Sequence, residues 1–252
     1  AFHAAGKKVV VVLNIGGVIE TSSWKNRPDA ILCAWQAGQE GGNSVADVLS
    51  GKVNPSGKLT MTFPVRFQDA ASSANFPLDG AMSSMDFANM KEGDGSRRNW
   101  DYTDYEEDIF VGYRYFDSFG KEVSYPFGYG LSYTTFEYGQ PSVDFADGVY
   151  KVNVEVRNSG NVAGREVVEL YAASPDSKAA DRPEKELKAF AKTPLLAAGE
   201  TCKVTLTLNA ADLASFDTTS SSWVVAGGNW NFLVGASSRD IRSSVEVNVK
   251  AS

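Results

Sequence analysis

The 252-residue chain is 43% hydrophobic and 22% charged, a balance typical of a globular protein with one large domain or two ordinary ones. Its formal net charge of −7 and its lack of a basic block argue against a nucleic-acid partner. The longest purely apolar run, residues 9–13, is far shorter than the ~20 residues needed to cross a bilayer, so the sequence predicts no membrane partner.

Residues 9–63 have the pattern of an α/β domain. The run VVVVLNIGG predicts a buried parallel strand that ends at Gly16 and Gly17. This glycine pair lacks the third spaced glycine of a dinucleotide-binding turn, so a tight strand-to-helix turn is the better interpretation. DAILCAW predicts a second strand, and QEGGNSVADVLSG predicts a helix that ends at Gly51.

NPSGKLTMTFP predicts a turn and a third strand that Pro64 closes. Three strands with intervening helices are fewer than the usual sheet of about five or six strands. We therefore expect this sheet to be completed by another part of a longer polypeptide.

Residues 65–108 follow no sustained period, which predicts a long loop, either functional or disordered. The aromatic-rich segment at 105–139 comes next, and a binding surface and a join between domains are both open interpretations of it. Residues 141–252 then alternate apolar and polar side chains in short runs typical of a β-sandwich. These runs are GVYKVNVEVRNSG, REVVELYAA, TCKVTLTLN, SSWVVAGGNWNFLVGAS and RSSVEVNVK.

Few residues could support catalysis by a base or a metal. His3 is the only histidine and lies at the N-terminus, where a catalytic base would not be held firmly. Metal sites built on histidine or cysteine are excluded by count. Cys33 and Cys202 fall in different regions, which predicts buried free thiols and no disulfide framework.

Carboxyl groups remain, and two of them suffice to hydrolyse a glycosidic bond. The candidates are Glu40, Glu106, Glu107 and Asp108. Glu40 precedes the predicted helix, where the macrodipole favours a carboxylate, so a structural role is the better interpretation. The three acidic residues at 106–108 precede a strand-like segment, and for most of this cluster a solvated strand end is the better interpretation.

Trp100, Tyr102 and Tyr105 lie at the end of the long polar segment. Sugars present apolar C–H faces that stack on aromatic rings, so these residues are candidates for substrate binding. The alternative is that they pack against the protein surface and hold the segment there, and the sequence does not distinguish these two interpretations.

Several motifs resemble glycoside hydrolase family 3. ILCAWQAGQEGGNSVADVLSGKVNPSGKLTMTFP is similar to the second half of that family's α/β sandwich domain. YEEDIFVGYRYFDSFGKEVSYPFGYGLSYTTFEY resembles the segment that leaves this domain in the family's β-glucosidases. LKAFAKTPLLAAGET and ASFDTTSSSWVVAGGNWNFLVGASSRDIR resemble their C-terminal fibronectin type III-like domain. The likeness covers essentially the whole chain.

The resemblance implies an α/β part followed by an all-β part. Residues 1–64 would be a partial α/β sandwich domain with an open sheet, and residues 65–140 a long loop and an aromatic inter-domain connector. Residues 141–252 would form an immunoglobulin-like, fibronectin type III-like β-sandwich. In the family the aromatic residues of the connector pack the two domains together. Gly128 and Gly130 would allow the tight turns that this packing needs.

The resemblance also implies a retaining β-glucosidase-like hydrolase that removes terminal β-linked sugars from oligosaccharides or glycosides, without a metal or organic cofactor. The family's nucleophile lies in an upstream barrel, and its acid/base lies earlier in the α/β domain. These upstream parts would be the partners of this chain, which is predicted to be inactive alone and receives no catalytic residue.

Glucosidase and xylosidase specificities stay open, as does oligomeric state. A periplasmic or secreted location is favoured over a cytoplasmic one. The alternative function is a non-catalytic carbohydrate-binding or structural scaffold module.

Overall fold

The computed structural model describes residues 5–74, 105–177 and 182–251. His3, Trp100, Tyr102 and most of the predicted loop lie outside the described residues. The helices are α1 (Gly41–Leu49) and α2 (Tyr113–Ser118). The strands are β1 (Val10–Leu13), β2 (Ala30–Cys33), β3 (Phe63–Pro64), β4 (Val123–Tyr125), β5 (Phe136–Tyr138), β6 (Ser142–Ala146), β7 (Val149–Asn158), β8 (Val167–Ala173), β9 (Glu186–Lys192), β10 (Thr201–Asn209), β11 (Ser215–Asp217), β12 (Ser222–Val224), β13 (Gly228–Ser237) and β14 (Asp240–Val249).

The first part of the chain contains the predicted parallel strands and the predicted helix. β1 and β2 pair in parallel, with Val10 opposite Ala30 at one end of the register. Helix α1 ends at Leu49, and Gly51 follows with a φ of +76°, a conformation that favours glycine after a helix C-terminus. The two strands and the helix that the sequence predicts here are confirmed, but the predicted burial of β1 is wrong for this chain, since Val10 and Val12 are 45% and 40% exposed.

The predicted strand-to-helix turn after Gly17 is wrong. Residues 16–17 form a bend, and turns at 22–26 lead to β2 without a helix. The physical reason is local: the Glu20 carboxylate accepts hydrogen bonds from the backbone N–H and the hydroxyl of Ser23, at 2.7 and 2.8 Å. This side-chain contact stabilises an isolated turn in place of a continuing helix.

The third predicted strand does not join β1 and β2. Only Phe63 and Pro64 are in a strand, β3, and they pair antiparallel with β4 of the connector. Just before β3, the Leu59 N–H donates to the Tyr129 carbonyl, and the Gly128 N–H donates to the Leu59 carbonyl, both at 2.8 Å. The backbone groups of this segment are therefore satisfied by a distant part of the chain.

The segment after the acidic cluster is helical, which corrects the expectation of a strand. Tyr115 and Phe119 are four residues apart, and their ring centroids lie 5.2 Å from each other. Such i,i+4 aromatic contacts form on a helix surface. Phe116 turns inward from α2 and is 4% exposed. The spacing of these aromatic residues reflects a helical turn packed on its neighbours.

Residues after the connector form the predicted β-sandwich. One sheet has β7 at its centre, with β10 along one edge and β5 and β6 along the other. The second sheet has the order β14-β13-β8-β9. The inward residues of both sheets form the core, where the Tyr150 and Phe232 rings meet edge to face at 5.5 Å. Strands β6, β9 and β11 lie outside the predicted runs, and the single run at 221–237 contains both β12 and β13.

The cysteines are free thiols, as predicted, but they are half-buried and not fully buried. Burial raises the pKa of both the Cys33 and the Cys202 thiols. Both groups are therefore less easily ionised than an exposed thiol.

Candidate functional site

The aromatic connector, residues 105–139, contacts the α/β part through one aromatic cluster. Phe63 is 2% exposed, and its ring lies 6.1 Å from Trp35 and 6.2 Å from Tyr125. Lys25 lies over the Tyr125 ring, with its Nζ 4.9 Å from the centroid. Asn54 extends this contact, since its Oδ1 accepts hydrogen bonds from the Ser132 hydroxyl and the Tyr133 N–H.

The other side of the connector contacts the β-sandwich through helix α2. The Tyr113 ring stacks on Phe127 at 4.8 Å and meets Tyr171 of β8 at 5.8 Å. The Tyr113 hydroxyl accepts a hydrogen bond from the Leu187 N–H at 2.7 Å. On the same helix, the Asp117 carboxylate lies between two cations of the sandwich.

Asp117 is the most enclosed carboxylate of that contact, with a side chain that is 5% exposed. Its Oδ1 accepts a hydrogen bond from Arg239 Nε at 2.7 Å. Lys185 Nζ lies 3.2 Å from Oδ2 at an angle that makes this contact ionic and not a hydrogen bond. The Arg239 guanidinium also donates to the carbonyls of Phe116 and Lys121.

Gly128 lies where the connector passes closest to the sandwich. It has a φ of +79°, and a Cβ built there would lie 2.8 Å from the Ser237 Cα and against the Glu169 carboxylate. A side chain at this position would be strained by its conformation and would displace backbone. The tight turn that the resemblance implies at Gly128 is confirmed by a turn at residues 127–128. A Cβ built at Gly130 would similarly lie 2.5 Å from the Gly57 carbonyl oxygen.

Glu169 is a buried carboxyl group at this junction. The residue is 4% exposed, and its Oε2 accepts a hydrogen bond from the Tyr171 hydroxyl at 2.6 Å. Burial raises the pKa of Glu169 to about 7, against the lowering effects of that hydrogen bond and of Lys58. A general acid needs such a pKa, but it must also reach the substrate. Glu169 is closed off by Gly128 and the sandwich.

A crevice of about 640 Å³ opens beside this junction, between the connector and the sandwich. Its walls carry charges that are already paired with each other. Lys58 lies 3.0 Å from Glu166, and Arg242 lies 2.6 Å from Asp240. Because each of these carboxylates is paired with a cation, we interpret them as structural contacts and not as the acid and the nucleophile that flank a sugar.

The structure does not bring the predicted carboxylates together as one site. Glu40 is exposed at the N-terminus of α1, where its carboxylate accepts a hydrogen bond from the Asn43 amide at 2.7 Å. The acidic cluster lies on the connector, with Glu106 and Asp108 exposed and Glu107 half-buried. Asp108 has a φ of +51°, which fits its place in a tight turn.

Of the predicted aromatic residues, Tyr105 is described, and it is 70% exposed. A ring so exposed contributes little to packing and is free to contact a ligand. Trp100 and Tyr102 lie outside the described residues. Within the described ranges no group of three or more histidine, cysteine, aspartate or glutamate side chains could hold a metal ion.

Sequence reasoning missed three charged side chains that the fold largely encloses, those of Glu169, Asp117 and Lys58. A signal existed for Glu169, because REVVELYAA places a glutamate inside an otherwise apolar strand. Lys58 gave no such signal, since it follows the turn-forming residues at 55–57, whereas Asp117 directly follows Phe116 in an aromatic-rich segment.

Comparison with known proteins agrees with this architecture. The family model for the glycosyl hydrolase family 3 C-terminal domain matches residues 1–133, and that for the fibronectin type III-like domain matches residues 166–238. The β-glucosidase A of Butyrivibrio fibrisolvens is 40% identical over 93% of this chain and 29% of its own length. An exo-alpha-(1->6)-L-arabinopyranosidase of Bifidobacterium breve is 39% identical over 97% of this chain and 30% of its own length.

A solved structure is similar over the whole chain. β-Glucosidase 3B of Thermotoga neapolitana, in complex with glucose, has a TM-score of 0.85 and 46% sequence identity, and covers 100% of this chain and 32% of its own. The fold is therefore that of the C-terminal region of a glycoside hydrolase. The chain belongs to glycoside hydrolase family 3, which confirms the resemblance, and it corresponds to a part of the family's β-glucosidase-like enzymes.

The chain spans about 30% of the length of the curated relative from Bifidobacterium breve. Within the described residues, no helix is long and apolar enough to span a membrane.

Proposed function

We propose that this chain is the non-catalytic C-terminal portion of a retaining hydrolase that removes terminal β-linked glucose from oligosaccharides or glycosides. The observation that carries the proposal is the similarity of the whole chain, at 46% identity, to a β-glucosidase with glucose bound. An upstream barrel and the first half of the α/β domain would supply the nucleophile and the acid/base. Residues 1–64 would be the α/β part, residues 65–140 the loop with the connector, and residues 141–252 the sandwich.

The positions of the described carboxyl groups support a catalytic site that lies outside this chain. Retaining glycosidases need two carboxyl groups about 5 Å apart on either side of the sugar. Glu169 has the raised pKa of an acid but is 4% exposed, while Glu40 and Glu106 are exposed and lie on different segments. The α/β part and the connector would instead hold the upstream parts in place.

The test is reconstitution of activity. The 252-residue chain alone should not hydrolyse an aryl β-glucoside. Combined with a separately expressed upstream polypeptide, it should restore hydrolysis, and proton NMR should show the β-anomer as the first product. Turnover by the chain alone that Glu106→Gln or Glu40→Gln abolishes would overturn the proposal.

A second candidate substrate is an α-L-arabinopyranoside, because the exo-alpha-(1->6)-L-arabinopyranosidase of Bifidobacterium breve is 39% identical over 97% of this chain. Aryl glycosides of glucose, xylose and L-arabinopyranose, assayed with the reconstituted protein, would distinguish these specificities through kcat/KM.

We also propose that Tyr105 contributes to the aglycone side of the substrate site, together with Trp100 and Tyr102. The support is the 70% exposure of Tyr105 at the end of a long polar segment, where binding residues concentrate. In the reconstituted protein, Tyr105→Ala should raise KM for a longer oligosaccharide by roughly threefold to tenfold, with little change for an aryl glucoside. Tyr105→Phe keeps the ring and should behave like the wild type. Equal effects on both substrates would make Tyr105 a packing residue.

A further inference from the structure

The β11–β12 hairpin presents an aromatic pair to solvent at the surface of the sandwich. Phe216 and Trp223 are opposite each other in the register of the two strands, so both side chains lie on one face. Their ring centroids are 5.7 Å apart, and the planes are inclined at 72°. Phe216 is 52% exposed and Trp223 is 69% exposed.

The hairpin that carries this pair is firmly held. Leu213 before it and Val225 after it belong to the sandwich core and are 1% and 3% exposed. At its tip, the Asp217 carboxylate accepts hydrogen bonds from the Thr219 N–H at 2.9 Å and the Ser220 hydroxyl at 2.8 Å. The two rings are therefore positioned before any ligand binds, which reduces the entropy lost on binding.

The chain around the pair carries little charge. Apart from Asp217, the sequence has no charged residue from position 214 to position 238. Asp217 and Ser222 pair with each other one position along the strands, so their side chains lie on the face opposite the two rings. Exposed aromatic faces in a segment with so little charge suit a neutral ligand that has apolar C–H faces, and a sugar chain has this chemistry.

We propose that Phe216 and Trp223 form a surface binding site for a soluble β-glucan chain. The choice of a β-linked glucose polymer rests on the proposed function, while the choice of a neutral sugar rests on the hairpin itself. Rings inclined at 72° cannot lie together on a flat surface, so the site fits a chain whose successive sugar rings are inclined to each other. It would hold a polymer close to the enzyme without taking part in hydrolysis.

Affinity electrophoresis in gels that contain mixed-linkage β-glucan tests the proposal on the reconstituted protein and on the chain alone. The wild type should be retarded, and Trp223→Ala should lose affinity by roughly tenfold or more, as should Phe216→Ala. Trp223→Tyr keeps an aromatic face and should retain most of the binding. Phe190→Ala is the matched control, because Phe190 lies on the same sandwich and is 70% exposed.

Three outcomes would overturn the site. Retardation unchanged in Trp223→Ala would show that the glucan binds elsewhere, and stronger binding to microcrystalline cellulose than to the soluble glucan would contradict the inclined geometry. Protection of Trp223 from acrylamide quenching in the reconstituted protein, measured as the difference from Trp223→Phe, would make the pair an internal contact. Hydrolysis of an aryl glucoside is measured in parallel, so a failure of the proposed activity is distinguished from a failure of this site.

Discussion

Glu169 shows how a single buried group links stability to pH. The pKa of its carboxyl group is raised to about 7 from an ordinary value of 4.5, chiefly by burial. Between pH 4.5 and about 7, the Glu169 carboxyl group keeps its proton in the folded state and has lost it in the unfolded state. The free energy of unfolding therefore falls as pH rises through this window, and the contribution of Glu169 is constant below and above it.

We predict that Glu169→Gln removes this dependence. Between pH 4.5 and 7 the wild type should lose as much as roughly 3 kcal/mol relative to the variant, from a shift of 2.5 units at about 1.4 kcal/mol each. Urea unfolding at several pH values measures the difference. Tyr171→Phe removes a hydrogen bond that lowers the pKa of Glu169, so it should extend the decline to higher pH. A wild type and a Glu169→Gln variant with parallel pH profiles would contradict the assignment.

At the scale of elements, an enclosed ion pair is one of the contacts that join helix α2 to the sandwich. Asp117 and Lys185 have side chains that are only 5% and 8% exposed. Removing the charge of Asp117 leaves a buried ammonium group without its counter-ion, and breaking a buried pair in this way costs several kcal/mol. The attraction itself is partly offset by desolvation, so the cost arises mostly from the charge left behind.

Asp117→Asn should therefore lower the free energy of unfolding by roughly 3 kcal/mol. Asp47→Asn is a matched control, because Asp47 and Lys52 form an ion pair of which the side chains are 35% and 72% exposed. That change should cost less than about 1 kcal/mol. Urea denaturation followed by tryptophan fluorescence compares the two variants. Similar, small losses in both would show that α2 is held by its aromatic contacts instead.

At the scale of the whole molecule, the two ends of the chain differ in how much of a core they contain. The large apolar core cluster lies entirely within residues 136–249. In the α/β part, β1 pairs with β2 alone among the described strands, and Val10 and Val12 are 45% and 40% exposed. An apolar strand with unpaired edges recruits other chains.

Residues 136–252 should therefore melt cooperatively as an isolated fragment, while residues 1–64 should aggregate or stay unfolded. Addition of the upstream half of the α/β domain should recover residues 1–64 in a stable complex. Calorimetry and size-exclusion chromatography measure these outcomes. Dispersed amide peaks from a monomeric fragment of residues 1–64 would show that this part needs no partner.

Much of the candidate site could not be predicted from the sequence, although the fold around it could. The connector was identified from its density of aromatic residues, and Gly128 was correctly assigned to a tight turn. The pKa of Glu169 and the pairing of Asp117 depend in part on residues more than fifty positions away in the chain, Lys58 and Lys185 respectively. No local pattern carries that information.

The sequence by itself determined the elements whose side chains repeat regularly. The alternation along β7 and β10 defines one buried face, since a shift of one residue would expose every apolar side chain of the strand. The apolar spacing of α1 and the glycine that follows it likewise determined where that helix lies and where it ends. Only the tertiary structure decided that β3 pairs with β4, that residues 113–118 form a helix, and that Phe216 and Trp223 face solvent. These features depend on which distant backbone groups and surfaces are within reach, and an amino-acid pattern read along the chain does not contain those distances.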